Sequence, residues 1–324
     1  MKTISELQDI ITDKIEQLQL KGKPVELYEP VNYLMHLGGK RLRPALLLAA
    51  CNLYTENLTQ AELAAIGMEM FHNFTLMHDD IMDKSDIRRG KPTVHKKWNE
   101  NIAILSGDAM MFLAAEYICQ SETGNLPALM QLFNKTAIEV CEGQQLDMNF
   151  ENLTQVSIPE YINMIRLKTS VLIAACLKMG AMIGNAPESD ARFLYDFGLN
   201  LGIAFQLQDD LLDIYADQSV FGKAIGGDIF ADKKTFFMIK ALETATGNDR
   251  DELNRLIGNK QISRTDKVNA VTLIYNNLNI KQLAEDQIQF YGNQAIEALD
   301  KVSIEKNQKS ELYLFANQLL NRNF

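Results

Sequence analysis

Three aspartates, Asp79, Asp80 and Asp83, lie within five residues of an otherwise apolar stretch of the sequence. On a helix, Asp79 and Asp83 form an i, i+4 pair of like charges, which destabilises an isolated helix, so a cation is expected beside them. Clustered carboxylate oxygens, with no cysteine and no paired histidine, suit a hard cation. Mg²⁺ fits best, because it keeps water ligands and shares its coordination shell with phosphate oxygens.

The same spacing occurs a second time, at Asp209, Asp210 and Asp213, again inside an apolar run. A single acidic cluster is often a solvated helix face, but two copies of one spacing among core-type residues favour a functional role. Paired metal-carboxylate helices need a polyanionic ligand between them. The repeated motif therefore predicts a polyanionic substrate or cofactor.

Basic residues cluster near the first motif. Residues 38–44 read Gly-Gly-Lys-Arg-Leu-Arg-Pro before an apolar helix, where backbone amides together with Lys40 and Arg43 form an anion site. The adjacent Arg88 and Arg89 follow the first motif. In an acidic protein, cations beside acidic residues favour an interior phosphate site, and the alternative is a basic loop on the surface.

Three lysines farther along the chain could also reach a phosphate. Lys168 precedes a helix rich in small residues, and the alternative is that it snorkels from the side of a helix. Lys223 and Lys233 lie in a glycine-containing stretch that follows the second motif.

The elements that must position these residues are helices. Helical periodicity dominates, strand signals are nearly absent, and prolines such as Pro30, Pro44 and Pro187 separate the helical segments. No linker divides the 324 residues, and the hydrophobic fraction of 47% is enough for a large core. We therefore predict an all-α protein of about ten or more helices in one domain over residues 1–324.

Composition narrows the class of protein. The net charge of −10 argues against nucleic acid as a partner. The first residues lack the apolar segment of a signal peptide, and the uncharged runs are too short to span a bilayer. Cys51, Cys119, Cys141 and Cys176 are scattered through apolar context, so we expect reduced core residues. These features predict a soluble protein of the cytoplasm.

Together these segments resemble the trans-prenyltransferases, the head-to-tail isoprenyl diphosphate synthases. The resemblance runs from about Gly38 to Thr235, in the family's order. Its motifs are Gly38-Gly-Lys-Arg-Leu-Arg-Pro44, His72, Asp79-Asp80-x-x-Asp83, Arg88-Arg89-Gly90, Gly143-Gln144, Lys168-Thr169, Phe205-Gln206, Asp209-Asp210-x-x-Asp213, and Lys223 with Lys233. One departure is Asp232, where members of the family often carry glycine before the lysine.

The resemblance implies a single-domain helical bundle of the isoprenoid synthase type with a central cavity. It also implies Mg-assisted ionisation of an allylic diphosphate (dimethylallyl, geranyl or farnesyl), followed by head-to-tail condensation with isopentenyl diphosphate. The product would be a short-chain prenyl diphosphate of C15 to C20. The enzyme would be a cytoplasmic homodimer with no nucleic-acid partner and no integral membrane segment.

The resemblance also assigns roles to individual residues. The metal ligands would be the six aspartates of the two motifs, Asp79, Asp80, Asp83, Asp209, Asp210 and Asp213. The allylic diphosphate would be bound by Arg88, Lys168, Lys223 and Lys233. The diphosphate of isopentenyl diphosphate would be bound by Lys40, Arg43, His72 and Arg89. The predicted catalytic set is Lys168, Thr169 and Gln206, of which the last two would present neutral dipoles to the carbocation.

By the same resemblance, product length is set by side chains just upstream of the first motif, here Phe74 and Thr75. A helix rises about 1.5 Å per residue, so Phe74 would lie about 7.5 Å deeper than Asp79. The helix wheel places Thr75 on the Asp79 face, so the choice of Phe74 as the floor rests on resemblance and on its bulk. An aromatic floor predicts farnesyl or geranylgeranyl diphosphate, with C20 favoured.

Two other classes of protein share part of this pattern. A ferritin-like carboxylate metal-binding protein would use Glu69 and His72 as an E-x-x-H motif, but it needs a second such motif, which the sequence lacks. A class I terpene cyclase shares the first acidic motif. Its second motif would be an array of Asn or Asp, Ser or Thr, and Glu instead of the aspartates found here.

Overall fold

The computed structural model describes residues 1–121, 124–216 and 225–320, and helices make up nearly all the secondary structure in these ranges. The helices are α1 (Ile4–Glu16), α2 (Val25–Met35), α3 (Leu42–Asn52), α4 (Thr59–Met82), α5 (Val94–Lys97), α6 (Glu100–Cys119), α7 (Leu126–Asn152), α8 (Ile158–Ile165), α9 (Val171–Ile183), α10 (Glu188–Tyr215), α11 (Gly227–Phe230), α12 (Phe236–Thr244), α13 (Gly247–Leu256), α14 (Arg264–Asn277), α15 (Ile280–Asp300) and α16 (Ser310–Leu320). A π-helical turn, Arg166–Ser170, joins α8 to α9. Two short strands, β1 (Ile87–Arg88) and β2 (Lys91–Pro92), pair antiparallel. The predicted all-α class is confirmed.

Several helices begin at residues that their chemistry marks as caps. Thr3 caps α1 and Ser157 caps α8, each with a glutamate three residues later, Glu6 and Glu160, that completes a capping box. The Asn99 side chain caps α6 by accepting a hydrogen bond of 2.9 Å from a backbone amide in the first turn.

The prolines mark helix boundaries with one exception. Pro44 lies in the first turn of α3, and Pro187 directly precedes α10. Pro30 lies inside α2, so the prediction that it separates helices was wrong. Pro30 lies beyond the first turn of α2, so the helix continues through it without the hydrogen bond that an amide there would donate to the Glu26 carbonyl.

Contacts between Cα atoms group the chain into two compact units. Unit 1 comprises Met1–Lys135, Ala175–Tyr195 and Val302–Leu312. Unit 2 comprises Thr136–Ala174, Asp196–Lys301 and Tyr313–Phe324. One domain over residues 1–324 with a central cavity stays a prediction.

The core of unit 1 forms around α4. This helix packs along α6, and α3, α2 and α1 also contact it. Phe71 of α4 is almost fully buried and meets Phe133 edge to face, with 5.4 Å between the ring centroids. Buried Asp190 accepts hydrogen bonds from the hydroxyls of Tyr54 and Ser303, at 3.0 and 2.6 Å, and so joins three separate segments of this unit.

Unit 2 has its own apolar core. Buried side chains of α8, the second half of α10, and α12 to α15 form one continuous cluster. Phe237 and Tyr275, both fully buried, pack within it at a centroid distance of 5.8 Å. Helix α12 contacts α15, and α11 contacts α14.

One helix in the described ranges, α6, is long and apolar enough to cross a bilayer. Of its most apolar stretch of 18 residues, 33% is buried. Its buried side contacts α4. The other side exposes Leu105 and Phe112.

Among the cysteines, which are all free thiols, Cys119 and Cys141 are exposed, so the prediction of core positions was wrong for these two.

Candidate active site

The first aspartate motif ends helix α4. Asp79 is half-buried in the last turn, Asp80 is buried, and Asp83 caps the C-terminus at the surface. Arg88 of β1 holds Asp80 with two nitrogens: Nε lies 2.8 and 2.9 Å from the two carboxylate oxygens, and Nη2 lies 2.7 Å from Oδ1. Asp80 is therefore occupied by a protein cation, while Asp79 and Asp83 lie one turn apart on one face of the helix.

The cations of the predicted isopentenyl site lie in the same unit. Arg43, in the first turn of α3, approaches His72 of α4 with 3.2 Å between Nη1 and Nε2. Desolvation, and then the charge of Arg43, hold the pKa of His72 well below its usual 6.5, so the ring is neutral at pH 7. Because a guanidinium can only donate, Nε2 must accept, and the proton of the neutral ring lies on Nδ1.

A buried ion pair joins the start of α3 to α4 near this cluster. Arg41, in a left-handed conformation with φ of 46°, donates to Glu69 of α4 at 2.5 Å, and both side chains are 3% exposed. The amide of Asn73 donates to the same carboxylate at 3.1 Å. The turn that carries Lys40 is thereby fixed to α4, and Lys40 itself is exposed.

Arg89 and the two residues predicted to set product length lie on α4 or near it. Arg89 donates to the backbone carbonyl of Gly38. Phe74 is buried and meets His78 edge to face at a centroid distance of 4.8 Å. Thr75 is half-buried, and its hydroxyl donates to the carbonyl of His72 at 2.8 Å.

The second motif lies near the end of α10, where Asp209 is half-buried. Asp210 is 4% exposed and accepts hydrogen bonds from the hydroxyl of Tyr161 and from Nε2 of Gln206, the latter at 3.2 Å. Half-buried Asp213 accepts from the backbone amides of Gly227 and Asp228, at 3.3 and 3.0 Å. As in the first motif, protein groups engage the middle carboxylate.

Burial raises the pKa of Asp210 to about 8, and the nearby charge of Asp228 adds to the effect. The hydrogen bonds from Tyr161 and Gln206 act in the opposite direction, because they favour the carboxylate. Asp228 is itself raised in pKa by burial, and Lys233 opposes that shift. Burial is therefore the main cause of both raised pKa values.

Lys168 and Thr169 lie in the π-helical turn, and two glycines let other helices approach its backbone. A Cβ on Gly143 of α7 would lie 2.3 Å from the Lys168 backbone nitrogen, and one on Gly202 of α10 would lie 2.7 Å from Ser170 Cα. This close packing positions the side chains of the turn. π turns occur frequently at functional sites.

The three predicted catalytic residues all lie in unit 2, where they make two separate sets of contacts. Lys168 Nζ pairs with Asp147 at 2.6 Å. The Thr169 hydroxyl donates to Gln206 Oε1 at 3.1 Å, and Gln206 in turn donates to Asp210. Thr169 and Gln206 are therefore neutral dipoles joined to a carboxylate of the second motif.

The segment after α10 carries the last predicted lysine. Lys233 Nζ lies 3.7 Å from Asp228 Oδ1. Lys223 lies outside the described residues.

The aspartates fit a hard divalent cation. Both α4 and α10 carry acidic residues near their C-terminal ends and no basic residue in the last turn. The helix dipole adds partial negative charge there, which favours a cation. No group of three or more Asp, Glu, His or Cys side chains in the described ranges could hold a metal alone. Mg²⁺ needs only one or two carboxylates beside water and phosphate oxygens.

Three side chains that contact predicted site residues had no role in the sequence interpretation: Tyr161, Asp147 and Asp228. Asp147 had a signal, because it lies one helical turn after Gly143 on a polar stretch of α7. Tyr161 had none, since an aromatic residue on an amphipathic helix is ordinarily a core residue. Its role depends on contact with Asp210, which is distant in sequence.

Two long helices of this all-α chain end in aspartates that suit a divalent cation, and such a site suits an enzyme that acts on a phosphorylated substrate. The sequence profile of the polyprenyl synthetase family matches residues 24–274. The chain belongs to this family.

Relatives and solved structures agree. The chain is 46% identical over 231 residues to geranylgeranyl diphosphate synthase of Methanosarcina mazei, with 71% of each chain covered. It is 37% identical over 306 residues to geranylgeranyl diphosphate synthase of Sulfolobus acidocaldarius, with 92% of this chain and 91% of that one covered. A crystal structure of geranylgeranyl pyrophosphate synthase matches with a TM-score of 0.94 and 41% identity over 100% of both chains. The protein is a prenyltransferase, and neither alternative class is supported.

Proposed function

We propose that this prenyltransferase joins isopentenyl diphosphate to an allylic diphosphate and releases geranylgeranyl diphosphate, a C20 product. The observation that carries the proposal is the repeated aspartate motif at the ends of α4 and α10, each with lysine or arginine in its own unit. The names of the relatives at 46% and 37% identity support the product.

Ionisation of the allylic substrate requires positive charge at the leaving group. Breaking the C–O bond leaves an allylic carbocation and a diphosphate, so the site must stabilise the anion and keep water from the cation. When bound, Mg²⁺ would supply charge against the leaving diphosphate. The residues proposed to hold it are Asp79, Asp83 and Asp209, with Asp80, Asp210 and Asp213 supporting them. Lys168, Lys233, Arg88 and Lys223 are proposed to bind the same diphosphate.

Isopentenyl diphosphate is proposed to bind at Lys40, Arg43, His72 and Arg89. His72 is well suited to this role, because its Nδ1 proton is available to donate to a phosphate oxygen while Nε2 accepts from Arg43. A neutral ring also avoids adding charge to a cluster that is already cationic.

Thr169 and Gln206 are proposed to face the carbocation. Both are neutral dipoles, and the hydrogen bond from the Thr169 hydroxyl to Gln206 Oε1 holds the two side chains in one arrangement. The double bond of isopentenyl diphosphate then attacks the cation. The departed diphosphate takes the proton that is lost as the new double bond forms, which balances the reaction.

Product length is the finer part of the proposal. Phe74 is proposed as the floor beneath the growing chain, and its contacts with His78 and Phe71 fix its ring. The test is incubation with isopentenyl diphosphate, Mg²⁺ and each allylic primer, followed by sizing of the products. We expect C20 from the wild-type enzyme and longer chains from Phe74→Ala, without loss of turnover, because no charged contact is removed. Chains well beyond C20 from the wild type, or unchanged products from Phe74→Ala, would contradict Phe74 as the floor.

We also propose that the enzyme is a homodimer that works in the cytoplasm. The support on the surface of unit 1 is the apolar face of α6, where Leu105 is 60% exposed and Phe112 74% exposed. The two residues lie two helical turns apart on one face of α6, and an exposed apolar face favours an interaction site.

A further inference from the structure

Asp232 occupies a backbone position that favours glycine. Its φ is 55°, and it follows α11 as the residue that ends the helix in a Schellman motif. The Asp232 amide donates to the Ile229 carbonyl at 3.2 Å, and the Lys233 amide donates to the Asp228 carbonyl at 3.0 Å. An aspartate in this conformation carries steric strain that glycine would not, so its side chain must contribute something the turn itself does not need.

The carboxylate of Asp232 holds a buried lysine. Lys267 of α14 approaches it with 2.7 Å between Nζ and Oδ1, and the lysine side chain is only 3% exposed. The second oxygen accepts the amide of Gly258 at 3.0 Å. Lys267 also donates to the carbonyl of Phe230 at 3.3 Å. A charge buried this deeply is tolerated only with such a partner.

A second residue of α14 holds the other end of the same segment. Arg264 donates to the carbonyl of Ile225 at 3.3 Å, and its guanidinium lies 5.6 Å from the ring centroid of Phe230. Residues 225–232 are thus attached at both ends to one helix, by cations whose partners require specific positions.

The attached segment carries groups that belong to the proposed site. Its amides at Gly227 and Asp228 donate to Asp213 of the second motif. Lys233 follows Asp232 directly, and its amide completes the Schellman motif. A shift of Asp232 would therefore move Lys233 relative to Asp213.

We propose that Asp232 and Lys267 are positioning residues for the allylic diphosphate: their ion pair fixes Lys233 relative to the second aspartate motif. The inference rests on the proposed role of Lys233. A buried ion pair adds little to stability compared with an apolar pair, but it specifies one arrangement, because each charge is costly in any other.

Two substitutions of Asp232 separate positioning from folding. Asp232→Asn keeps the shape of the side chain and removes its charge. Asp232→Gly also relieves the left-handed backbone, but it leaves Lys267 buried without its carboxylate, so its Tm should fall. Asp232→Gly/Lys267→Met removes the buried charge as well and should keep a Tm close to that of the wild type. Asp232→Asn and Asp232→Gly/Lys267→Met should each raise the KM for the allylic diphosphate by about tenfold, because a small misplacement of a binding group is costly. The KM for isopentenyl diphosphate should change little.

A double-mutant cycle ties the effect to Lys233. Lys233→Ala should raise the allylic KM, and adding Asp232→Asn to it should change that KM by no more than about twofold, because the positioned group is gone. Glu252→Gln is the matched control, since it breaks an exposed ion pair with Arg255 in the same unit. It should leave both KM values unchanged.

The outcomes are distinguishable. If Lys233→Ala raises the allylic KM but Asp232→Asn does not, or if the two effects multiply in the double variant, the positioning role is wrong while the proposed function stands. An equal rise of both KM values in Asp232→Gly/Lys267→Met also overturns the positioning role. If Lys233→Ala leaves the allylic KM unchanged, the proposed role of Lys233 is wrong, and the inference fails with it.

Discussion

Asp79 and Asp80 are neighbours in the sequence, but they have different surroundings. Asp80 is buried against Arg88, and Asp79 is half-buried at the end of α4. Asp79→Asn should lower kcat by several orders of magnitude and leave the Tm unchanged, since charge beside the leaving group is lost while the packing remains. Asp80→Asn should also lower the free energy of unfolding by about 2 kcal/mol, because Arg88 loses its charged acceptor. Steady-state kinetics and thermal melts measure both effects.

Metal removal is the control for these variants. EDTA should abolish turnover of the wild-type enzyme, and added Mg²⁺ should restore it. Turnover that survives exhaustive chelation would show that the aspartates act without a metal.

Substitutions in the two predicted groups of cations should each raise the KM for a different substrate. Lys40→Ala should raise the KM for isopentenyl diphosphate by about tenfold, the usual cost of one charge-assisted hydrogen bond, and Lys233→Ala should do the same for the allylic substrate. Initial-rate kinetics with each substrate varied in turn measure this. If both variants weakened both substrates equally, the assignment of separate subsites would be incorrect.

The low pKa of His72 makes stability depend on pH in a defined direction. The folded ring stays neutral where the ring of the unfolded chain, with a pKa near 6.5, gains a proton. Its contribution is therefore present above that value and is lost as pH falls below it. Between about pH 8 and about pH 5.5, the wild type should lose up to about 1.4 kcal/mol more unfolding free energy than His72→Gln. Urea titrations at the two pH values test this, and equal losses would mean that the folded ring takes up the proton normally.

Spacing along the chain was sufficient to locate both aspartate motifs, since their residues are adjacent in sequence. It could not distinguish Asp79 from Asp80, because that difference depends on Arg88, which pairs with only one of them. The hydrogen bond from the Tyr161 hydroxyl could not be predicted for the same reason. Its partner, Asp210, is close only in the folded chain.

At the scale of the element, the π-helical turn packs closely against α7 because Gly143 has no Cβ. Gly143→Ala would place Cβ 2.3 Å from the Lys168 nitrogen, so α7 and the turn must separate. We expect a loss of about 1–3 kcal/mol in stability and a lower kcat, because Lys168 and Thr169 move together. Gly124→Ala is the control, since nothing lies within 4 Å of a Cβ there. A Gly143→Ala enzyme with wild-type Tm and kcat would show that the close approach is unnecessary.

The helices themselves were predictable, because apolar periodicity and caps are local. The π turn was not, since a regular α-helix and a π turn differ by one residue in register, which periodicity does not resolve over so short a segment. Pro30 was misplaced because the residue type alone does not show whether a helix ends at a proline or continues through it, as α2 does.

At the scale of the whole molecule, the apolar face of α6 predicts association. Leu105→Asp should convert the proposed dimer to a monomer, because a charge would then be buried at the interface. Leu273→Asp is the matched control: both leucines are 60% exposed, and Leu273 lies on α14 in the other unit. Light scattering after size-exclusion chromatography measures the mass. A wild-type protein with the mass of a monomer would contradict the dimer. Binding of the wild-type monomer to lipid vesicles would show that this face contacts a membrane instead.

The all-α class was predictable from the sequence, because strand signals were almost lacking, and the only strands in the described ranges are two residues long. The exposed face of α6 was not predictable. From the sequence alone, Leu105 and Phe112 look like core residues, because the whole helix is apolar. Which of its apolar positions meet solvent depends on where α4 packs.

The π turn at Arg166–Ser170 makes this region sensitive to chain length as well as to residue type. Such a turn contains one residue more than the α-helical turn that could replace it. Deleting a single residue there would restore regular α-helix and keep α8 and α9 in nearly the same rotational register, because the wider turn already accommodates the extra residue. Tyr161 of α8 would stay beside Asp210, while Lys168 and Thr169 would change their positions in the turn. A one-residue deletion in Arg166–Ser170 should therefore lower kcat more than it lowers the Tm.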